Sequence, residues 1–361
     1  MTTPPARPAL PATLDDVTPA WLSSVLSSPG RPAPVADARI DKLIDGTATK
    51  ARLLLTYADD AAAEGLPTRV WIKGGYGRES AKVTPTGAYA VEARFYRDVR
   101  PRIPVSVPEC YFADCDDDTQ QGVVLLRDLE QDGVAFCSAP RPLTADQVAA
   151  VLDLLIPLHA FWWESPELDR IAWLRAPLER GSAPDAYVSR FTKADLEHFL
   201  ALPRADSVPP SVTAAAIVDA LHALQDRVTR RPHCLLHGDT HLGNLYLRPV
   251  GTPGLLDWQT LWRGCWAHDV TYLITSALTV EDRRTHERDL LRHYLDGLAA
   301  TGVAAPAWDA AWDDYRRYVA YGLFMWTINP VEAQPEEVNI PNIARFSAAA
   351  DDLDTFGALG I

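Results

Sequence analysis

The sequence predicts an α+β chain of two lobes: a small N-terminal lobe with a five-stranded antiparallel sheet and one main helix, and a larger, mostly helical C-terminal lobe. Three observations predict it. Short apolar runs of alternating character are confined to the residues before Leu129, long helical periodicities begin at Thr144, and 361 residues suffice for two cores.

The elements follow in order. Thr13–Leu26 has a capping Thr, early Asp15 and Asp16, and apolar residues at helical spacing, so a short first helix is expected. Ala38–Ile44, Ala51–Tyr57 and Arg69–Lys73 read as strands of a meander, separated by Asp-Gly-Thr and then by an Ala/Gly/Pro connection. Tyr89–Val99 reads as a helix, and Glu109–Ala113 and Gly122–Arg127 complete the sheet around a polar Asp-Asp-Asp-Thr turn. Thr144-Ala-Asp-Gln147 matches a capping box and opens a helix in which Pro157 predicts a kink. Further helices are expected at Asp185–Leu202, Ser211–Arg230, Glu281–Leu298 and Ala307–Thr327. The lobes are expected to span 1–127 and 128–361.

Composition narrows the function classes. The balance of 47% apolar and 23% charged residues is that of a soluble globular protein. No apolar run is long enough for a bilayer, and the Pro-rich start lacks the apolar stretch of a signal peptide, so no membrane partner and a cytoplasmic location are expected. The net charge of −14 opposes binding to nucleic acid or anionic lipid, which require a basic surface. It is compatible with a cationic substrate, though acidity also simply maintains solubility. Cys110, Cys115, Cys137, Cys234 and Cys265 are odd in number and include no Cys-x-x-Cys pair, which predicts reduced thiols.

The chemistry concentrates at His237-Gly238-Asp239-Thr240-His241-Leu242-Gly243-Asn244, followed thirteen residues after Asn244 by Asp257 in Leu256-Asp257-Trp258-Gln259. One carboxylate five residues before an asparagine, then a second at the end of an apolar run, is the arrangement phosphoryl transfer needs: a group to orient an attacking hydroxyl and two oxygen ligands for Mg²⁺ on nucleotide phosphates. Cys234-Leu-Leu, Leu245-Tyr-Leu and Gly254-Leu-Leu read as short strands that bracket these residues.

These residues resemble the aminoglycoside phosphotransferase and choline kinase-like family, which has the protein-kinase-like fold, over most of the chain. The Leu-Asp-Trp-Gln form, with His268-Asp269-Val-Thr-Tyr-Leu after it, looks closest to the ecdysteroid-kinase-like branch. The resemblance implies that Asp239 is the catalytic aspartate, that Asn244 and Asp257 bind Mg²⁺, that His237 orients the loop, and that Asp269 braces it. A nucleotide lobe must then supply a lysine and a carboxylate. Lys73 ends the apolar Val70-Trp-Ile strand, where a charge is costly unless used, and Glu92 lies in the next helical segment as its partner. Lys73 would bridge the α- and β-phosphates of ATP. Asp45–Lys50 occupies the place of a phosphate-covering hairpin, with one glycine and with Thr47 and Thr49 as hydroxyl donors; it reads equally as an ordinary Asp-Gly turn. Val124–Leu129 takes the position of the interlobe hinge, where backbone groups around Leu126 and Leu129 would meet the adenine edge. Gly74-Gly-Tyr-Gly77 lacks the phosphate-loop pattern and reads as a flexible turn.

The expected activity is that of an ATP- and Mg²⁺-dependent small-molecule kinase with a hydroxyl acceptor, acting as a monomer or homodimer. Two other readings compete. His233, His237 and His241 recur at four-residue intervals, which on a helix would form the metal site of a His/Asp metallohydrolase, but Gly238 and Gly243 oppose a helix there. A catalytically silent nucleotide-binding scaffold of the same fold would lack an essential group, and Lys73, Glu92, Asp239, Asn244 and Asp257 are all present. For the acceptor, Asp313, Asp314, Glu332, Glu336 and Glu337 are either amine-binding acids or solvated charges. Trp162, Trp163, Trp258, Trp262, Trp266, Trp312 and Trp326 either line an apolar pocket or fill the core.

Overall fold

In a computed structural model, residues 8–46, 48–59, 64–230 and 232–361 are described. The chain divides into two compact units, one comprising the residues up to Arg102 together with Val107–Gly133, the other Ile103–Ser106 with Val134–Ile361.

The first unit begins with helix α1 (Pro19–Leu26), capped by the Thr18 hydroxyl with Pro19 at its first position. The expected helix over Thr13–Leu26 is thus shorter, with Leu14–Asp16 as a separate 3₁₀ turn. Strands β1 (Val35–Ile44), β2 (Thr49–Tyr57), β3 (Arg69–Gly74), β4 (Cys110–Cys115) and β5 (Gly122–Arg127) form an antiparallel sheet in the order β1-β2-β3-β5-β4. The predicted α+β class and the five-stranded antiparallel sheet are therefore borne out. Two helices, α2 (Arg78–Val83) and α3 (Ala88–Arg94), follow β3, and a π-helical turn continues α3 over Phe95–Val99. Ala51, Leu53, Val70, Ile72, Val123 and Leu125 alternate onto one face and pack with Leu22 and Val25 of α1. Period-two alternation then puts Trp71 and Lys73 on the opposite face. Leu126, the cross-strand partner of Trp71, shares that face. Residues beyond β5 stay with this unit because the fully buried Asp128 carboxylate accepts from Arg69 Nε at 2.7 Å and Trp71 Nε1 at 3.3 Å.

The second unit is mainly helical. It contains β6 (Ala135–Phe136), α4 (Ala145–Phe161), α5 (Pro166–Arg170), α6 (Ala183–Val188), α7 (Lys193–Leu200), α8 (Ala214–Gln225), β7 (Cys234–Leu236), β8 (Leu245–Leu247), β9 (Pro253–Leu255), β10 (Trp262–Gly264), α9 (Ala267–Ala277), α10 (Val280–Ala300), α11 (Trp308–Ile328), α12 (Glu336–Asp352) and α13 (Thr355–Leu359). The Thr144–Gln147 capping box is present, and Pro157 lies inside α4. The single helix expected over Asp185–Leu202 is two, because Thr192 caps a fresh start with Asp195 reaching back to its N–H at 2.7 Å. Helices α9 and α12 were not expected. All eleven residues of α9 are buried, and Pro341 lies within α12. Ile103–Ser106 belongs here because Ser106 accepts from Leu255 of β9 at 3.0 Å. Among the described residues no helix is long and apolar enough to cross a membrane.

Candidate active site

Three strand pairings hold the sequence motif. β7 pairs with β10, and β8 pairs with both β6 and β9. The segment His237–Asn244 is thus suspended between β7 and β8, and Leu256–Asp257 leaves β9 beside it. A bond from Leu256 N–H to the Asn244 carbonyl, 2.8 Å, ties the two segments directly. Short loops between paired strands have little freedom, which suits groups that must be placed within a fraction of an ångström.

Asp269 clamps the loop from α9. Its Oδ2 accepts His237 N–H at 2.7 Å and its Oδ1 accepts Gly238 N–H at 2.8 Å. Its own carbonyl accepts the Thr240 hydroxyl at 2.7 Å. His159 of α4 donates from Nε2 to Oδ2 at 3.2 Å, with Tyr294 of α10 on its Nδ1 at 2.7 Å. Burial alone would raise the Asp269 pKa, but the His159 hydrogen bond and the surrounding imidazoles bring it below the usual carboxylate value. Gly238 itself has φ +88°, and a Cβ there would lie 2.0 Å from the Thr260 carbonyl oxygen. Only glycine fits both the left-handed backbone and that close approach.

Within the loop, Asn244 Nδ2 donates to both the carbonyl and Oδ2 of Asp239, each at 2.9 Å. His237 donates from Nε2 to the Leu256 carbonyl at 2.8 Å and accepts Asp239 N–H on Nδ1 at 3.3 Å, with its ring against Trp258, centroids 4.5 Å apart. Both nitrogens are therefore used as a neutral imidazole uses them, and burial lowers the His237 pKa despite the nearby carboxylates of Asp269 and Asp239. His268 donates to the Gly238 carbonyl at 3.0 Å and is lowered for the same reason, its burial outweighing Asp269. His241 differs: burial works against its charged form, yet Asp239 at 3.5 Å and then Asp257 raise its pKa above the usual value. Asp257 adopts φ +60°, unusual for a side-chain-bearing residue and costly unless the surroundings impose it.

In the first unit, Lys73 Nζ meets Glu92 Oε2 at 2.8 Å, with side chains 6% and 2% exposed. Two charged groups so buried must face one another, because each alone would be costly to take out of water. Thr49 is buried, and its hydroxyl accepts Gly77 N–H at 2.7 Å and pairs with the Ser80 hydroxyl at 2.8 Å. It pins the strand start to the turn after β3, and that turn is further held by Gly75 N–H on Gln121 at 3.3 Å. Thr47 lies outside the described residues. Leu126 is half-buried and Leu129 is buried at the start of a 3₁₀ turn.

The three imidazoles of the His233/His237/His241 series serve separate partners, His233 Nε2 bonding to the Val228 carbonyl at 3.2 Å. Among the described residues no group of three or more His, Cys, Asp or Glu side chains is placed to hold a metal ion. The acids considered for an amine-binding wall are largely engaged: Asp313 with Arg316 and Arg317, Asp314 with Arg317, Glu336 with Arg204. Of the tryptophans, Trp162, Trp258, Trp266 and Trp326 are core residues, whereas Trp163, Trp262 and Trp312 are half-buried. The sequence could have flagged His159 and Tyr294 only as apolar-face residues of long helices.

The profile of the phosphotransferase enzyme family (APH) matches residues 63–312, and the chain belongs to that family. No curated protein sequence matches it. Among solved structures it is similar to a candidate aminoglycoside phosphotransferase from Ralstonia eutropha JMP134, with 12% identity over 94% of this chain and 96% of that one, TM-score 0.54. It is also similar to an ethanolamine kinase from Plasmodium vivax, with 9% identity over 88% and 83%, TM-score 0.50. At these identities the likeness establishes the fold, which is the protein-kinase-like one expected from the motif.

Proposed function

We propose that the protein is a small-molecule kinase that transfers the γ-phosphoryl group of ATP to an acceptor hydroxyl, acting in the cytoplasm. The observation that carries this reading is the double hydrogen bond from Asn244 Nδ2 to the carbonyl and Oδ2 of Asp239. It orients the asparagine so that its oxygen is left for a cation, and it leaves Asp239 Oδ1 for the acceptor. Membership in a phosphotransferase family supports the same reading.

The donor set fits Mg²⁺. Asn244 Oδ1 and the Asp257 carboxylate are hard oxygen ligands, and Mg²⁺ characteristically takes one or two protein oxygens and completes its shell with phosphate and water. When bound, it would neutralise charge on the phosphates in a loose transition state. Lys73, held by Glu92 at 2.8 Å, would hold the α- and β-phosphates. Asp239 would orient the acceptor hydroxyl and take its proton on Oδ1. The acceptor oxygen bonds to the γ-phosphorus as the bond to the β,γ-bridging oxygen breaks, and that electron pair leaves with ADP.

The test is ADP release across aminoglycosides, amino alcohols, sugars, hydroxy acids and sterols. At least one acceptor should stimulate release, and Asp239→Asn should lower kcat by about 10²–10⁴-fold with ATP affinity little changed. An Asp239→Asn variant with full activity would overturn the assignment, and nucleotide binding without turnover on any acceptor would favour the silent scaffold.

A further inference from the structure

We infer that His241 is a positioning residue that locks the Asp239 carboxylate in one rotamer, an inference that rests on the proposed kinase reading. A backbone hydrogen bond fixes the direction of its N–H. Gly243 N–H donates to His241 Nδ1 at 3.0 Å, so the ring proton of the neutral form sits on Nε2. That nitrogen lies 3.5 Å from Asp239 Oδ2.

The ring itself is held in place. It is only 7% exposed, and Trp326 meets it edge-on with centroids 5.3 Å apart at 87°, as does Tyr272 at 6.4 Å and 90°. Gly243 allows this, since a Cβ there would lie 2.5 Å from His241 Cε1. A buried imidazole with both nitrogens facing polar groups and two aromatic walls cannot turn to a second rotamer without losing the Gly243 hydrogen bond.

The consequence falls on Asp239. Its Oδ2 faces both Asn244 Nδ2 at 2.9 Å and His241 Nε2 at 3.5 Å, two donors carried by one turn of the loop, in which Asn244 N–H donates to the His241 carbonyl at 3.0 Å. Rotation about the Cβ–Cγ bond would break both contacts. Oδ1 is thereby kept as the oxygen that receives the hydroxyl proton, while His241 retains its own proton throughout and relays nothing. Asn244 alone would leave the carboxylate one restraint short, and a misplacement of about 1 Å is enough to cost roughly 10²-fold in rate.

The experiment compares wild type, His241→Met and His241→Gln, the glutamine being able to offer an N–H near the position of Nε2. ADP release from Mg·ATP is followed with the best alcohol of the acceptor panel, or with water as acceptor where none serves, alongside nucleotide affinity by calorimetry. His241→Met should lower kcat by about 10–10²-fold with KM for ATP and nucleotide affinity within about threefold, and His241→Gln should recover most of the loss. A kcat unchanged in His241→Met overturns the inference, as does an equal loss in both variants when each binds nucleotide normally. A wild-type enzyme that binds nucleotide and releases no ADP removes the kinase reading itself, which the other outcomes leave standing.

Discussion

Asp269 accepts the backbone N–H groups of both His237 and Gly238, at 2.7 and 2.8 Å, from a helix more than thirty residues away in sequence. The carboxylate touches no reacting group in the proposed chemistry, yet it sets the path of the chain into Asp239. Replacing it with Ala would leave two buried N–H donors and His159 Nε2 without their acceptor, while Tyr294 stays on His159 Nδ1. Each such loss costs about 1–3 kcal/mol. Asp269→Ala should therefore lower the urea unfolding free energy by at least about 2 kcal/mol, and a change under half of that would show that the clamp is dispensable.

Gly238→Ala should be damaging out of proportion to one methyl group. The Cβ would have to displace the backbone at Thr260 as well as occupy a left-handed conformation. Thermal unfolding should report a loss of about 2 kcal/mol or more, and turnover should fall with it because Asp239 follows directly. Wild-type stability in this variant would mean that the loop can relax around the clash.

The Lys73–Glu92 pair predicts an asymmetry between losing one partner and losing both. Glu92→Gln removes the carboxylate that faces a buried ammonium, and breaking a buried pair in this way costs about 3–5 kcal/mol. The double change Lys73→Met with Glu92→Gln should recover much of the stability while leaving nucleotide affinity low. Urea unfolding of the three proteins measures the first, and calorimetric titration with Mg·ATP the second. Equal stability of Glu92→Gln and wild type would contradict the burial of the pair.

Stability should depend on pH through the imidazoles of the loop. His237 and His268 have folded pKa values below the ordinary 6.5. Between 6.5 and those lower values the unfolded chain binds protons that the folded chain refuses, so stability is complete above about 6.5 and is lost as pH falls through the folded values. His241 is raised, so its contribution is present below 6.5 and is lost as pH rises through its folded value. Asp269 is depressed below 3.8 and titrates outside this range. Urea midpoints should decline toward pH 5, with a weaker decline above neutrality. His268→Gln should flatten the acid limb; an unchanged slope in that variant would remove His268 from the account.

The legible parts of the fold were those whose burial is one-sided. Strand β2 alternates, and helices α4 and α10 repeat, because one face meets the core and the other meets water. Helix α9 was not expected; all eleven of its residues are buried, the polar His268, Asp269, Thr271, Thr275 and Ser276 included. The expected helix over Asp185–Leu202 broke at Thr192, where a capping residue overrode a continuous periodicity.

The sequence by itself determined the class of fold and the residues of the motif, because backbone periodicity, capping and the spacing Asp239–Asn244–Asp257 are local properties of the chain. Tertiary structure alone decided what those residues do to one another. That Asn244 spends its amide on Asp239, that Asp269 holds the loop from a distant helix, that Thr49 braces a turn, and that His241 points its N–H at Asp239 all depend on which segments meet in space. Hydrogen bonds are directional and short-ranged, so their partners are set by packing and leave no periodic trace in the sequence.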